Sequence, residues 1–215
     1  MITEADLNGR EPLPYKPFEG RYIDEMPRLR ADNRRPLTAK DIAEKRIEVL
    51  KSKNAKLIDA WVNNYYDTAS GIVYFGNEIK VIPYCEVLSN IDSDAELENG
   101  ALTLTPEQYK SLEGKVLNRA GLKLNKLLTK QEAKEHPVWK ALLGDALNPY
   151  ADAMFKFGKK RYDVDNLMSI CMSNAKNTPT LRAWCFFIFP EYGRSGIFNG
   201  GNYLGAIARL VGVPE

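Results

Sequence analysis

Apolar and polar positions alternate along the chain with two different periods, and the change of period divides it. From Leu37 to Tyr66, residues Ile42, Ile47, Leu50, Leu57, Ile58, Trp61 and Val62 recur at helical spacing, with Glu44, Glu48, Lys40, Lys45, Lys51 and Lys56 on the other face. Thr38 suits the N-cap and Asp41, three residues on, completes a capping box. Ser52-Lys53-Asn54 predicts a break in this helical stretch.

The period then shortens. In "GIVYFGNEIKVIPY", β-branched and aromatic residues flank Gly76-Asn77, a pair that suits a two-residue hairpin turn. "ALTLT" (101–105) predicts a short strand that stops at Pro106. "TPEQYKSLEG" predicts a short helix with Thr105 as cap and Pro106 in its first turn. Helical spacing returns from Thr129, with a boundary at His136-Pro137 because the residue before proline avoids the α region. Two further helices are expected over "NPYADAMFKFGKKRY" and "DVDNLMSICMSNA", the second on a Val164, Leu167, Met168, Cys171 stripe. "LRAWCFFIF" is apolar throughout and predicts a central strand. Residues 203–213 fit either a helix, with Leu204, Ile207, Ala208 and Val211 on one face, or a closing strand.

Residues 9–37 carry five prolines, each of which withholds a backbone donor and fixes φ. This predicts an extended arm (1–37) ahead of one globular domain (38–215), with Tyr15, Phe18, Tyr22, Met26 and Leu29 lying along a surface. Isolated strands and a hairpin mixed irregularly with helices give an α+β fold with a largely antiparallel sheet.

Charge changes the picture by its distribution. The net charge is only +2, but residues 57–108 hold 1 Lys or Arg against 9 Asp and Glu, and residues 109–215 hold 16 against 9. An acidic middle and a basic back half either attract each other within the fold or offer a basic face to an anion. Three cysteines without a C-x-x-C pair, and a single histidine, predict neither a disulfide framework nor a zinc site. No apolar run reaches membrane-spanning length and the first residues do not read as a signal peptide, so a soluble cytoplasmic protein with no membrane partner is expected.

Candidate chemistry is confined to a few stretches. In "FKFGKKRY", Lys156, Lys159, Lys160 and Arg161 interleave with Phe157 and Tyr162, the combination of charge and ring faces that suits single-stranded nucleic acid. Arg34 and Arg35 add guanidinium forks that match phosphate. The glycine-rich stretch 193–205 follows the apolar strand, and Arg194, Gly200, Gly201 and Asn202 would hold a small anion if a helix began behind them. It matches neither a P-loop nor a dinucleotide fingerprint, because Gly201 is followed by Asn202-Tyr203. The acidic run "NIDSDAELENG" fails the EF-hand pattern, with Leu97 and Thr103 where glycine and glutamate belong. No catalytic group, metal or cofactor is expected. The leading expectation is a non-enzymatic binding module whose basic half meets a polyanion. The alternatives are an enzyme or binder for a small phosphorylated ligand, or a homo-oligomer joined through the N-terminal arm.

Overall fold

The computed structural model describes residues 2–9, 14–172, 177–189, 194–198 and 204–215. The chain opens with helix α1 (Glu4–Asn8), strand β1 (Lys16–Arg21), helix α2 (Tyr22–Ala31) and strand β2 (Arg34–Pro36). Helices α3 (Ala39–Ser52) and α4 (Ala55–Val62) precede the hairpin of β3 (Tyr66–Phe75) and β4 (Glu78–Ile82). A short helix α5 (Glu86–Ser89), strands β5 (Leu97–Glu98) and β6 (Ala101–Thr103), helix α6 (Pro106–Ser111) and strand β7 (Lys115–Asn118) follow. The helices α7 (Lys130–Glu135), α8 (Pro137–Leu143) and α9 (Leu147–Tyr162) lead to strands β8 (Met168–Cys171), β9 (Thr180–Phe189), β10 (Arg194–Phe198) and β11 (Ile207–Pro214). The architecture is α+β with two sheets whose pairings are antiparallel except for β8 with β10.

Strand β9 is the centre of the larger sheet, as its uninterrupted apolar sequence predicts. It pairs with β3 along one side and with β6 and β10 along the other. The hairpin turn sits at Gly76-Asn77, where Gly76 has φ +57°, a region costly for a residue with a Cβ. Helices α3, α4, α8 and α9 cover one face of this sheet and bury Trp61, Trp139, Tyr150, Trp184 and Phe186 in the main core. The other face packs on α2, α5 and the smaller sheet, through Tyr22, Met26, Leu29, Leu88, Leu181 and Leu210.

The described residues of the N-terminal segment do not form an extended arm but fold as α1, β1, α2 and β2. Strand β11 lies between β1 and β2 in the smaller sheet, so the edge strands carry Pro17 and Pro36, where a missing donor is tolerated. Pro27 stands inside α2 and removes only one helical bond. The compensation is burial of Tyr22, Ile23, Met26 and Leu29 on one stripe, the spacing that outweighs the proline. The side chains expected to lie along a surface or reach a neighbour are buried or half-buried in their own fold.

The expected helix over 163–175 is also corrected for its described residues, 163–172; residues 173–175 lie outside them. Asp163 closes α9 in the left-handed region, and Met168–Cys171 is strand β8, paired in parallel with β10. A short apolar run buried on both faces carries no periodicity that separates strand from helix. The helix alternative over 203–213 fails likewise, since β11 occupies Ile207–Pro214.

One side chain joins four of these elements. Arg46 lies on the buried stripe of α3 with no exposed surface. Its guanidinium donates to the Trp61 carbonyl (2.8 Å), the Asn64 carbonyl (2.9 Å) and the Tyr150 hydroxyl (3.2 Å), and lies 5.5 Å from the Phe186 ring centre. Arg46→Ala leaves those acceptors unpaired around a void, so a loss of at least about 3 kcal/mol is expected from urea unfolding. Arg46→Lys is expected to recover only part of it, because an ammonium does not reproduce the planar fork.

Candidate anion-contacting surface

Helix α9 is built by a stripe of Leu147, Tyr150, Ala151, Met154, Phe155 and Gly158, all buried. Gly158 is inside the helix rather than at its end; a Cβ there would press on Leu167 at 3.0 Å. That close packing turns Lys156, Lys159, Lys160 and Arg161 outward over the last two turns, where cations also favour the negative end of the helix dipole.

The cations differ in their freedom. Lys159 pairs with Asp163 at 2.9 Å and Asp165 at 3.2 Å, and those hydrogen bonds raise its pKa above the ordinary lysine value. Lys156, Lys160 and Arg161 are exposed and have no hydrogen bond or ion pair with any described residue. Phe157 and Tyr162 are half-buried and meet edge to face, 6.0 Å between centres, with Phe157 packed against the main core. Charge, more than open ring area, is what this surface presents.

Arg34 and Arg35 sit elsewhere and are engaged within the fold. Arg34 donates to Asp32 (2.7 Å) and to the carbonyls of Pro14 (2.8 Å) and Gly212 (3.3 Å). Arg35 donates to Asp41 (2.9 Å), the carboxylate that also closes the capping box of α3. Burial raises the Asp41 pKa, and its hydrogen bonds to Arg35 and Thr38 outweigh that, so the net direction is down.

For the small-anion alternative, Gly200, Gly201 and Asn202 lie outside the described residues, and only the backbone of Arg194 is placed, at the start of β10. Among the described residues no helix begins behind them to supply the positive dipole, and β11 occupies Ile207–Pro214 where the helix was required. Gly196 has a packing reason: a Cβ there would lie 2.4 Å from the Ser169 hydroxyl.

Other polar groups serve the fold. A cleft of about 320 Å³ between β1 and α2 is lined by Lys16, Glu19, Glu25, Arg28 and Asp32, paired as Lys16–Asp32, Arg28–Glu25 and Arg209–Glu19. Arg209 also donates to Asn64, and its backbone N–H donates to the buried Asp67. Burial pushes the Cys85 thiol up to about 11, which makes it a poor nucleophile. Lys80 turns inward, its ammonium donating to the Tyr109 and Leu112 carbonyls, and burial lowers its pKa. Among the described residues no group of His, Cys, Asp and Glu is placed to hold a metal ion, and no helix is long and apolar enough to cross a membrane.

His136 is a cap, as its place before Pro137 predicts. Its Nδ1 accepts from the Val138 N–H at 3.3 Å, which leaves the proton on Nε2, 3.2 Å from the Lys123 carbonyl.

No protein-family model matches the sequence, and no curated protein matches it. A solved structure does, described as the accommodation of massive sequence variation in Nanoarchaeota by the C-type lectin fold. It superposes with a TM-score of 0.67 at 20% identity, over 93% of this chain and 97% of that one. The likeness is one of fold: this chain is built like the C-type lectin fold.

Burial lowers the His136 pKa below its ordinary value, so the unfolded chain takes the proton first. The stability that the neutral cap contributes is therefore complete above about pH 6.5 and lost as pH falls below it. The melting temperature is expected to drop between pH 7 and pH 5, a window above ordinary carboxylate titration, and His136→Asn is expected to flatten that drop.

Proposed function

We propose that this protein is a non-enzymatic binding module that meets a polyanion, such as single-stranded nucleic acid, through the C-terminal end of α9. The observation that carries the reading is the exposure of Lys156, Lys160 and Arg161 without partners among the described residues, on a helix fixed by its buried stripe. Three cations on rigid backbone neutralise phosphates without ordering a loop. The fold supports a binding role more broadly: the similar structure is described as one in which this fold accommodates massive sequence variation. In this chain the buried Trp, Tyr and Arg46 framework is separate from the charged surface of α9. Arg34 and Arg35 are left out, since both are engaged within the fold.

The test is fluorescence anisotropy of a labelled oligothymidylate. Three phosphate contacts predict that affinity falls about 20-fold between 50 mM and 200 mM salt. Lys160→Glu with Arg161→Glu is expected to abolish binding while lowering the melting temperature by no more than a few degrees, the cost of two anions at the negative end of the helix dipole. Binding that ignores both salt and this substitution, or no binding at 50 mM salt, would overturn the reading.

A further inference from the structure

The charge split of the sequence survives folding. Among the described side chains, no ion pair joins residues 57–108 to residues 109–215. Where charges of the back half form ion pairs they do so locally, Lys123 with Glu132, Lys130 and Lys134 with Asp152, Lys159 with Asp163 and Asp165, or with the N-terminal segment, Arg209 with Glu19 and Asp145 with Lys40. In the acidic segment, Asp92 pairs with Arg30 at 2.6 Å. Asp94, Glu96 and Glu98 are exposed, and no described cation reaches them.

These three carboxylates share one structural unit. They run into and along β5, the outermost strand of its side of the larger sheet, whose partner among the described strands is β6 alone. The tight turn at Asn99-Gly100, both at positive φ, holds β5 against β6, which in turn pairs with the central strand β9. The acidic edge is thus anchored to the core, as the basic end of α9 is.

We infer that these two surfaces recognise each other between molecules: the Asp94, Glu96 and Glu98 edge of one copy docks on Lys156, Lys160 and Arg161 of a second copy. The inference rests on reading the α9 end as an anion-contacting surface, and it names a protein-borne anion for it. The contact is head-to-tail, because the two patches are different parts of the molecule, so a pair keeps one free patch of each sign and can extend. Its attraction is Coulombic and solvent-exposed, hence weak and removed by salt. A polyanion competes for the same cations, so ligand binding and self-association exclude each other at each α9 end.

Sedimentation velocity on the full chain tests this. The wild-type protein is expected to associate increasingly with concentration at about 20 mM salt and to be monomeric at about 500 mM. The variant Lys160→Glu/Arg161→Glu, acidic at both patches, and the variant Glu96→Lys/Glu98→Lys, basic at both, are each expected to stay monomeric at low salt. Mixed in equal amounts they restore oppositely charged pairs, and association is expected to return. A mixture no more associated than either variant alone, or a wild-type protein monomeric at low salt, overturns the inference. Oligothymidylate binding by the same wild-type sample separates the two ideas: retained binding without association leaves the polyanion reading standing, and loss of both removes them together.

Discussion

A guanidinium with no access to water holds the two layers of the main core together. Arg46 reaches from α3 to the end of α4, to Asn64 two residues beyond it, to α9 and to the central strand β9. A charge in such a place is tolerable only when its donors find acceptors, and here those acceptors are backbone carbonyls and a tyrosine hydroxyl. The position of each is therefore constrained by the others. If α9 shifts, the Tyr150 hydroxyl leaves the fork; if α4 frays, the Trp61 carbonyl is lost. The basic end of α9 inherits its fixed orientation from this contact at the other end of the helix.

Around that centre the molecule keeps its polar chemistry inward or local. Glu19, Asn64 and Asp67 are tied by Arg209, Glu25 by Arg28, and Lys80 by two carbonyls. These groups are matched within the fold and have no surplus bonding to offer. Exposed charge stands outside this matching, including one cluster of each sign, at the end of α9 and along β5.

Features decided within a few residues were legible in the sequence. The caps at Thr38, Thr105 and Thr129, the break at Lys53-Asn54, the turn at Gly76-Asn77 and the His136-Pro137 boundary are local chemistry, and the structure contains each. The central place of β9 followed from its apolar run. Features decided by distant partners were not legible. Five prolines masked the stripe of α2, because the sheet that makes β1 and β2 edge strands is completed only by β11. The short run Met168–Cys171 became a strand because β10 lay beside it. The α9 cluster lies on the helix that the sequence predicts, whereas the engagement of Arg34 and Arg35 depends on how the backbone turns toward Asp32 and Asp41 and on the Gly212 carbonyl, brought in from 178 residues away. Arg46 did leave a signal, a cation at a position where the helical stripe demands an apolar residue.

The placing of β11 between β1 and β2 has a temporal side. During synthesis, β1 and β2 emerge early, yet the strand that hydrogen-bonds both is separated from them by almost the whole described sequence, Lys16 pairing with Gly212. Until residues 207–214 have been made, two proline-bearing strands and the apolar stripe of α2 lack the surface that buries them. Closure of so long a loop makes this sheet a late event in folding and leaves its parts dependent on shielding by other means until then. The prolines that obscured the segment in the sequence suit that interval, since a strand with a missing donor is a poor template for pairing with a stranger.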